Sequence, residues 1–267
     1  MSTFGFIGVG NMGGALARAA AKGIAADKLY LSNRTVEKAE KLADELGCKA
    51  VSVEQAARCS YVFLGVKPQM MQQLLAQIAP VLAARQDDFV LVSMAAGITM
   101  ADIQKMAGGN YPVIRIMPNT PVVVGSGIIL YDATQNVSTA CLEQFCKMMD
   151  GAGLLDRLPE EQMDAGTSVA GCGPAFAELF MEALEEAGVS CGLPREKAGL
   201  YARQMVLGSA QLALESDKPL SQLRQEVCSP GGSTIEGVRS LEKDDLRAAV
   251  TRAVQASFRR NQELGKG

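Results

Sequence analysis

The sequence predicts an α/β fold in which an N-terminal doubly wound sheet precedes an all-helical domain. Three observations support this class. Short apolar strands alternate with helical stretches up to residue 160, a glycine-rich turn joins the first strand to the first helix, and strand patterns end at Glu160. The 267 residues can fill two cores, and we expect domain boundaries of 1–159 and 160–267.

The first domain is expected to hold an alternating series of strands and helices. The strands are runs rich in β-branched and aromatic residues, at 4–9, 28–32, 61–66, 89–94, 113–117 and 128–131. The helices fill the gaps, at 11–22, 36–46, 69–82, 101–106 and 139–150. Because the connections are too short for anything but crossover helices, the sheet should be mainly parallel.

The second domain is expected to be helical, because its apolar residues recur at helical spacing. One helix has an apolar face that includes Phe176 and Phe180, and the last helix, 244–262, has a one-sided apolar stripe. The helix at 195–215 is apolar around most of its circumference. So apolar a helix in a small domain indicates a partner subunit, and hence a homodimer or a higher homo-oligomer.

The composition excludes several classes of function. Lys and Arg total 26 against 29 Asp and Glu, and the net charge of -3 offers no field for nucleic acid or an anionic membrane. The sequence contains no His, which removes imidazole acid–base chemistry, Ser–His and Cys–His nucleophiles and His-containing metal sites. We therefore expect no metal site.

The cysteines and the N-terminal sequence indicate the cellular compartment in which the protein is expected. Seven cysteines, none in a C-x-x-C pair, indicate unpaired thiols in a reducing environment. No basic region precedes the first apolar run, and no stretch is apolar for long enough to span a membrane. We therefore expect a cytoplasmic protein.

A glycine-rich turn follows the first strand and opens a helix. It comprises Gly8, Val9, Gly10, Asn11, Met12 and Gly13. Gly8 allows the tight turn, Gly10 lets a pyrophosphate approach the backbone, and Gly13 lets the helix pack closely against the strand. The helix N-terminus adds free N–H groups, so the turn predicts a Rossmann-type dinucleotide site. The alternative is a tight strand-to-helix junction without a ligand.

The end of the second strand bears on the choice of cofactor. An NAD-binding site would have an acidic residue there to accept hydrogen bonds from the ribose, but the sequence has Ser32, Asn33 and Arg34. Hydroxyl, amide and guanidinium groups can donate to a 2′-phosphate, which favours NADPH, with NADH possible. Alternatively, Asn33 and Arg34 only turn the chain and cap the next helix.

Three further segments follow strand ends, where open sheets bind their ligands. Taken singly, each is also consistent with an ordinary turn. They are Val66, Lys67 and Pro68; Ala95, Ala96 and Gly97; and the segment 117–121, which includes Asn119.

A second candidate anion site lies in the helical domain, at residues 228–234. Ser233 stands three residues before Glu236, which is the spacing of a capping box, so we expect Ser233 to cap a helix there. Gly231, Gly232 and free N–H groups at that helix start suit a carboxylate or a phosphate. The alternative is a capped helix after a Pro-Gly turn.

These motifs together resemble those of the Δ1-pyrroline-5-carboxylate reductases, over the whole chain. The most specific element is the segment 229–234, read as Ser-Pro-Gly-Gly-Ser-Thr. The resemblance implies an oxidoreductase with an NAD(P)H-binding Rossmann domain and a helical domain that dimerises by interleaving, with decamers in some members. Such an enzyme transfers hydride to a cyclic imine and forms L-proline, in the last step of proline biosynthesis.

The resemblance also implies residue roles. The pyrophosphate would lie on residues 8–13, the adenosine end near Asn33, Arg34 and residues 66–68, and the nicotinamide near residues 95–97 and Asn119. The substrate would lie near Glu160 and on the turn of Gly231, with its carboxylate on the amides of Gly232, Ser233 and Thr234. The Thr234 hydroxyl would lie beside the ring nitrogen as the catalytic group. Three positions depart from the family pattern: Cys172, Phe176 and Glu226.

The imine chemistry is compatible with the absence of His. An imine can enter already protonated, so the enzyme mainly needs to align the hydride donor and acceptor. A hydroxy-acid dehydrogenase would need an acid such as Lys, and none occurs between Lys147 and Lys197. Two alternatives stay open: a non-catalytic NADP(H)-binding sensor or assembly protein, and a reductase of a related cyclic imine.

Overall fold

The fold is described by a computed structural model, which covers residues 2–264. The chain forms two compact units. The first unit contains the chain up to Cys172 together with residues 257–264, and the second unit contains Gly173–Ala256. A unit of packing need not coincide with a domain of sequence, so the boundaries 1–159 and 160–267 stay predictions.

Within residues 2–264, eight strands form one sheet in the first unit. The strands are Phe4–Ile7 (β1), Leu29–Ser32 (β2), Lys49–Ala50 (β3), Tyr61–Leu64 (β4), Val90–Ser93 (β5), Val113–Pro118 (β6), Gly127–Ala133 (β7) and Gly153–Arg157 (β8). Their order across the sheet is β3-β2-β1-β4-β5-β6-β7-β8, and only the β6–β7 pair is antiparallel among these. This arrangement confirms the predicted, mainly parallel α/β sheet.

Helices cover both faces of the sheet. They are Asn11–Ala21 (α1), Val36–Leu46 (α2), Val53–Ala56 (α3), Pro68–Ala83 (α4), Met100–Ala107 (α5), Thr139–Met149 (α6) and Met163–Gly166 (α7). Successive strand residues point to opposite faces, so Phe6 joins one buried cluster and Ile7 joins the other. In the first cluster the rings of Phe6 and Phe63 stack with centroids 4.1 Å apart. Two buried cores therefore hold the strand ends in place.

The sequence did not predict β3 and β8. β3 has only two residues, and β8 contains two leucines and two charged residues but no β-branched or aromatic one. Neither strand therefore has the pattern that identified the other six. The predicted helix 36–46 matches α2 at both ends.

The second unit is helical, as predicted. Its helices are Gly173–Ser190 (α8), Arg195–Glu215 (α9), Leu220–Val227 (α10), Ser233–Lys243 (α11) and Leu246–Leu264 (α12), whose last residues belong to the first unit. Many large apolar side chains are exposed on α9, among them Leu200, Met205 and Leu214. Among the helices from residue 2 to residue 264, none combines the length and the apolar character that crossing a membrane requires.

The end of α12 packs with the first unit. Asn261 is 9% exposed, and its Nδ2 donates to Ser168 Oγ at 3.2 Å and to the Asp164 carbonyl at 3.3 Å. These partners lie in α7 and in the π-helical turn Thr167–Gly171 that follows it. The last helix therefore supplies buried hydrogen bonds to residues more than 90 positions earlier in the chain, since the separations are 93 and 97.

Candidate functional site

The glycine-rich turn joins β1 to α1 in a conformation that only glycine adopts easily. Gly8 has a φ of +96°, and its N–H donates to the Ser32 carbonyl at 2.8 Å. A Cβ atom on Gly13 would overlap the carbonyl oxygen of Gly8, whereas a Cβ atom on Gly10 would meet no atom within 4 Å. The turn therefore has no space for a side chain at Gly13, whereas the space beside Gly10 is open.

This open position fits a dinucleotide phosphate. Gly10 is the N-cap of α1 and is exposed, and no acidic side chain lies in the first turn of the helix. The N–H groups of the first helical turn have no partner inside the helix, and the helix dipole favours an anion there. The residues present are thus compatible with the pyrophosphate of NADPH.

Asn33 ties the end of β2 to the glycine-rich turn. Its Oδ1 accepts the N–H of Val9 at 3.2 Å, and its Nδ2 donates to the Thr35 carbonyl at 3.0 Å. Thr35, not Asn33 or Arg34, occupies the N-cap position of α2. The alternative in which Asn33 and Arg34 cap this helix is therefore wrong.

Arg34 is exposed and makes no hydrogen bond or ion pair with any residue that the structure describes. Ser32, the last residue of β2, is buried. Asn33 and Arg34 follow β2 and are both expected near a 2′-phosphate. The Asn33 amide already makes hydrogen bonds within the protein, whereas the Arg34 guanidinium is available to bind a phosphate.

The end of β4 lies against the same turn. Gly65 donates its N–H to the Ile7 carbonyl at 2.7 Å, and Lys67 is the N-cap of α4, with Pro68 at the first helical position. Lys67 is exposed, and Val66 is half-buried. The structure therefore brings together residues 8–13, Asn33 and the segment 65–68.

The segment 95–97 follows β5, also at the carboxyl edge of the sheet. Gly97 has a φ of +74°, in the left-handed region, and the Ala95 N–H donates to Ser93 Oγ at 3.4 Å. Thr99 then caps α5, in a reciprocal pair with Asp102. The turn thus has one glycine-dependent bend between two fixed elements.

The side chain of Asn119 is used within the first unit. It is 9% exposed; its Oδ1 accepts the Ile128 N–H at 2.9 Å, and its Nδ2 donates to the Ala170 carbonyl at 3.0 Å. These bonds join β6 to the start of β7 and to the turn Thr167–Gly171. No local pattern identifies these two partners, which lie 9 and 51 positions away.

Glu160 has a buried partner that the sequence analysis missed. Arg115, on β6, is 4% exposed, and its Nη1 donates to Glu160 Oε1 at 3.0 Å. The same oxygen accepts the N–H of Met100 at 2.8 Å. A charged residue inside a central strand was the available signal, because a buried guanidinium needs a carboxylate partner.

In the second unit, the segment 229–232 forms a tight turn. Gly232 donates its N–H to the Ser229 carbonyl at 3.1 Å, and Gly231 has a φ of +68°. Pro230 precedes that glycine, so the residues match the requirements of a type II turn. The turn leads directly into α11.

The predicted cap of α11 is wrong. The N-cap is Gly232, and Ser233 is the first helical residue. The carboxylate of Glu236 pairs with Arg239 at 2.7 Å and not with a backbone N–H at the helix start, so no capping box forms. The Thr234 side chain is exposed, and its hydroxyl makes no hydrogen bond within residues 2–264.

The three positions that depart from the family pattern have ordinary surroundings. The Cys172 N–H donates to the Thr167 carbonyl at 2.9 Å, and Phe176 is half-buried on α8. Glu226 pairs with Lys218 at 2.8 Å, and this ammonium holds the pKa of the Glu226 carboxyl below its usual value. Throughout the described chain, no three His, Cys, Asp or Glu side chains come together as a metal site would require.

Two family models match the chain. Residues 3–97 match the family described as NADP oxidoreductase coenzyme F420-dependent. Residues 160–264 match the family described as pyrroline-5-carboxylate reductase dimerisation. The two matches fall on the sheet-containing and the helical parts of the sequence, respectively.

Known proteins match over the full length. A pyrroline-5-carboxylate reductase from Corynebacterium melassecola is 36% identical over 269 residues, which covers 100% of both chains. The structure of a Coxiella burnetii pyrroline-5-carboxylate reductase aligns with a TM-score of 0.90 and 32% identity, over 100% of this chain and 99% of that one. The Plasmodium falciparum pyrroline carboxylate reductase with NADP bound aligns with a TM-score of 0.89 and 31% identity, over 99% and 98%. These matches confirm the resemblance of the motifs, and the chain belongs to the pyrroline-5-carboxylate reductase family.

Proposed function

We propose that this protein reduces L-Δ1-pyrroline-5-carboxylate to L-proline, with NADPH as the hydride donor. The observation that carries the proposal is the turn at residues 231–234, with free helix amides beside an exposed Thr234 hydroxyl. The substrate has one carboxylate and one imine nitrogen. The turn offers one anion site and one hydroxyl for these two groups.

The cofactor residues are proposed from the first unit. The amides at residues 8–13 hold the pyrophosphate, Arg34 and Lys67 approach the adenosine end, and residues 95–97 receive the nicotinamide. When bound, the cofactor supplies a hydride to the imine carbon of the substrate. Since the side chain of Asn119 already bonds Ile128 and Ala170, its contribution is to hold β6 and β7 beside that site.

The carboxylate and the ring nitrogen of the substrate are assigned to residues of the second unit. The amides of Ser233 and Thr234 hold the carboxylate, because the Gly232 N–H expected to join them already donates to the Ser229 carbonyl, and Gly231 supplies the bend that presents them. The Thr234 hydroxyl bonds the ring nitrogen as its charge is lost during reduction. Glu160 of the first unit is a separate candidate for contact with the substrate, and its Oε1 already accepts from Arg115 and Met100.

The test is NADPH oxidation measured with and without pyrroline-5-carboxylate. Turnover that depends on this substrate supports the proposal. NADPH binding without turnover would favour a non-catalytic sensor or assembly protein. Faster turnover of a six-membered cyclic imine would instead assign a related substrate.

Arg34→Ala should erode a preference for NADPH over NADH. The parent protein should have the higher kcat/KM with NADPH, because Arg34 is free to contact a 2′-phosphate, and one such charged contact contributes about 1.5–3 kcal/mol. The measurement is kcat/KM with both cofactors in both proteins. Lys38→Ala, which removes an exposed cation from the helix that follows, α2, is the control. Equal efficiency of the two cofactors in the parent protein would contradict the assignment.

The protein should be at least a dimer through its helical region. Exposed apolar side chains on α9, such as Leu200 at 60% and Leu214 at 86%, are more than an isolated domain normally leaves in water. Light scattering at micromolar concentration should give at least twice the mass of 28.2 kDa. A mass of one chain would reject this assembly.

We also propose a cytoplasmic location. All seven cysteines are free thiols, and Cys59 is buried with its pKa raised to about 11 by burial. Free thiols in this number suit a reducing compartment. Thiol titration of the freshly isolated, denatured protein should therefore find all seven reactive.

A further inference from the structure

Arg115 is a buried charge inside the sheet. It is the third residue of β6, in register with Ser93 of β5 and Asp132 of β7, and its side chain is 5% exposed. Burial of a guanidinium is unfavourable unless carboxylates and hydrogen bonds compensate for the lost water. The partners of Arg115 therefore indicate what this buried charge holds in place.

The main partner of Arg115 is Glu160, at the start of the 3-10 turn Glu160–Gln162. Nη1 of Arg115 lies 3.0 Å from Glu160 Oε1, and Nη2 lies 4.0 Å from Asp164 Oδ1. The backbone N–H of Glu160 also donates to Asp132 Oδ2 at 2.9 Å. Glu160 is thus held at its main chain and at its carboxylate.

Glu160 in turn satisfies the start of α5. Its Oε1 accepts the N–H of Met100, the first residue of that helix, across 60 positions of sequence. This N–H has no partner inside the helix. Thr99 and Asp102 already bond each other, so Glu160 supplies the acceptor that the local sequence lacks.

This bond fixes one end of the turn at residues 95–97. β5 holds the turn at Ser93, and Met100 holds it three residues past Gly97. Between these points, the contacts within residues 2–264 give the turn one long bond, from the Ala95 N–H to Ser93 Oγ, and a left-handed bend at Gly97. Its shape therefore depends on the position of Met100.

We infer that Arg115 is a positioning residue for the cofactor: through Glu160 and Met100 it holds residues 95–97 in the shape that receives the nicotinamide end of NADPH. The inference rests on the proposed function, because it takes this turn as the nicotinamide site. It also assigns the two carboxylate oxygens of Glu160 to different contacts. Oε1 serves Arg115 and Met100, so a substrate contact falls to Oε2.

The test compares Arg115→Met and Arg115→Lys with a matched control, Arg85→Met. Arg85 also has a buried side chain, 4% exposed, and it bonds Asp87 and the carbonyls of Ala57 and Cys59. None of these residues belongs to the proposed site. Both methionine variants lose a buried guanidinium, so both should have a lower melting temperature.

Two ligands separate the nicotinamide end from the rest of the cofactor. Calorimetry measures the binding of NADPH and of adenosine 2′,5′-bisphosphate, which lacks the nicotinamide, at a temperature where each variant is folded. Arg115→Met should weaken NADPH about tenfold, by about 1.4 kcal/mol, and leave the bisphosphate unchanged. Arg115→Lys keeps the charge but not the forked geometry and should weaken NADPH about threefold. Arg85→Met should change neither.

The catalytic readout is kcat at saturating NADPH. Arg115→Met should lower it about 100-fold, since a shift of about 1 Å in the reacting groups can cost that much. Arg115→Lys should recover most of the loss. The same fall in Arg85→Met would show a general effect of lost stability and would overturn the inference.

Equal weakening of both ligands in Arg115→Met would also overturn it. If Arg115→Met does not fold, Arg115→Lys decides the matter: NADPH affinity equal to that of the parent would overturn the inference, and a selective loss for NADPH would support it. The proposed function is judged separately. A parent protein that binds NADPH but reduces no pyrroline-5-carboxylate would refute the function, while the comparison of the two ligands would still decide the role of Arg115.

Discussion

Thr234→Ala should lower kcat about 10- to 100-fold, with almost no change in the melting temperature. The exposed hydroxyl makes no bond within the described residues, and Gly232, not Thr234, occupies the N-cap of α11. Its removal therefore costs the fold little. In the proposed reaction it removes one hydrogen bond to the ring nitrogen, a bond that strengthens as the imine becomes an amine and contributes roughly 1–3 kcal/mol.

The measurements are steady-state kinetics and thermal unfolding of both proteins. Hydride alignment remains in the variant, so activity should fall but persist. Ser240→Ala removes another exposed hydroxyl from the same helix and is the control, with kcat unchanged. An unchanged kcat in Thr234→Ala would make Thr234 a structural part of the turn. A large fall in melting temperature would contradict the position of the helix start.

Gly10→Ala and Gly13→Ala should differ in their effect on stability, although both lie in one turn. A methyl group on Gly10 meets nothing within 4 Å, so stability should stay within about 0.5 kcal/mol of the parent. A methyl group on Gly13 overlaps the Gly8 carbonyl, and the forced shift should cost about 1–3 kcal/mol.

Both substitutions should impair NADPH binding. The methyl group of Gly10→Ala stands where the backbone would approach the pyrophosphate, and the loss of one or two charge-assisted hydrogen bonds should raise Kd about 100-fold. Urea unfolding and calorimetric binding measure the two effects separately. Gly108→Ala is the control for glycine substitution. Gly108 is the C-cap that follows α5 and has a positive φ, so the change should cost stability but not NADPH affinity. Full affinity in Gly10→Ala would place the pyrophosphate elsewhere.

The features that could be predicted from the sequence are those that local patterns determine. The strand at 113–117 could be recognised because β-branched residues repeat within it, and the turn at residues 8–13 because glycines allow its bends. Helix 195–215 matches α9 at both ends, since Pro194 precedes it and an apolar pattern runs to its last turn.

The contacts that the sequence could not reveal join residues far apart in the chain. Arg115 and Glu160 are 45 positions apart, and neither has a local pattern that identifies the other. The error at Ser233 has a different cause. The spacing to Glu236 suits a capping box, but the bend at Gly231 brings Gly232 into the cap position first, and Glu236 pairs with Arg239 instead.

The return of α12 to the first unit has a consequence for how the protein is made. Synthesis proceeds from the N-terminus, and a domain commonly folds as soon as its own residues are available. Here Asn261 supplies the bonds to Ser168 and to the carbonyl of Asp164 only after the entire second unit has been produced. Until then, the Ser168 hydroxyl of the nascent first unit lacks the hydrogen bond from Asn261, and the segment around Ser168 lacks its contact with α12. The packing around Ser168 can therefore be completed only after the second unit has been synthesised, although most residues of the first unit are synthesised earlier.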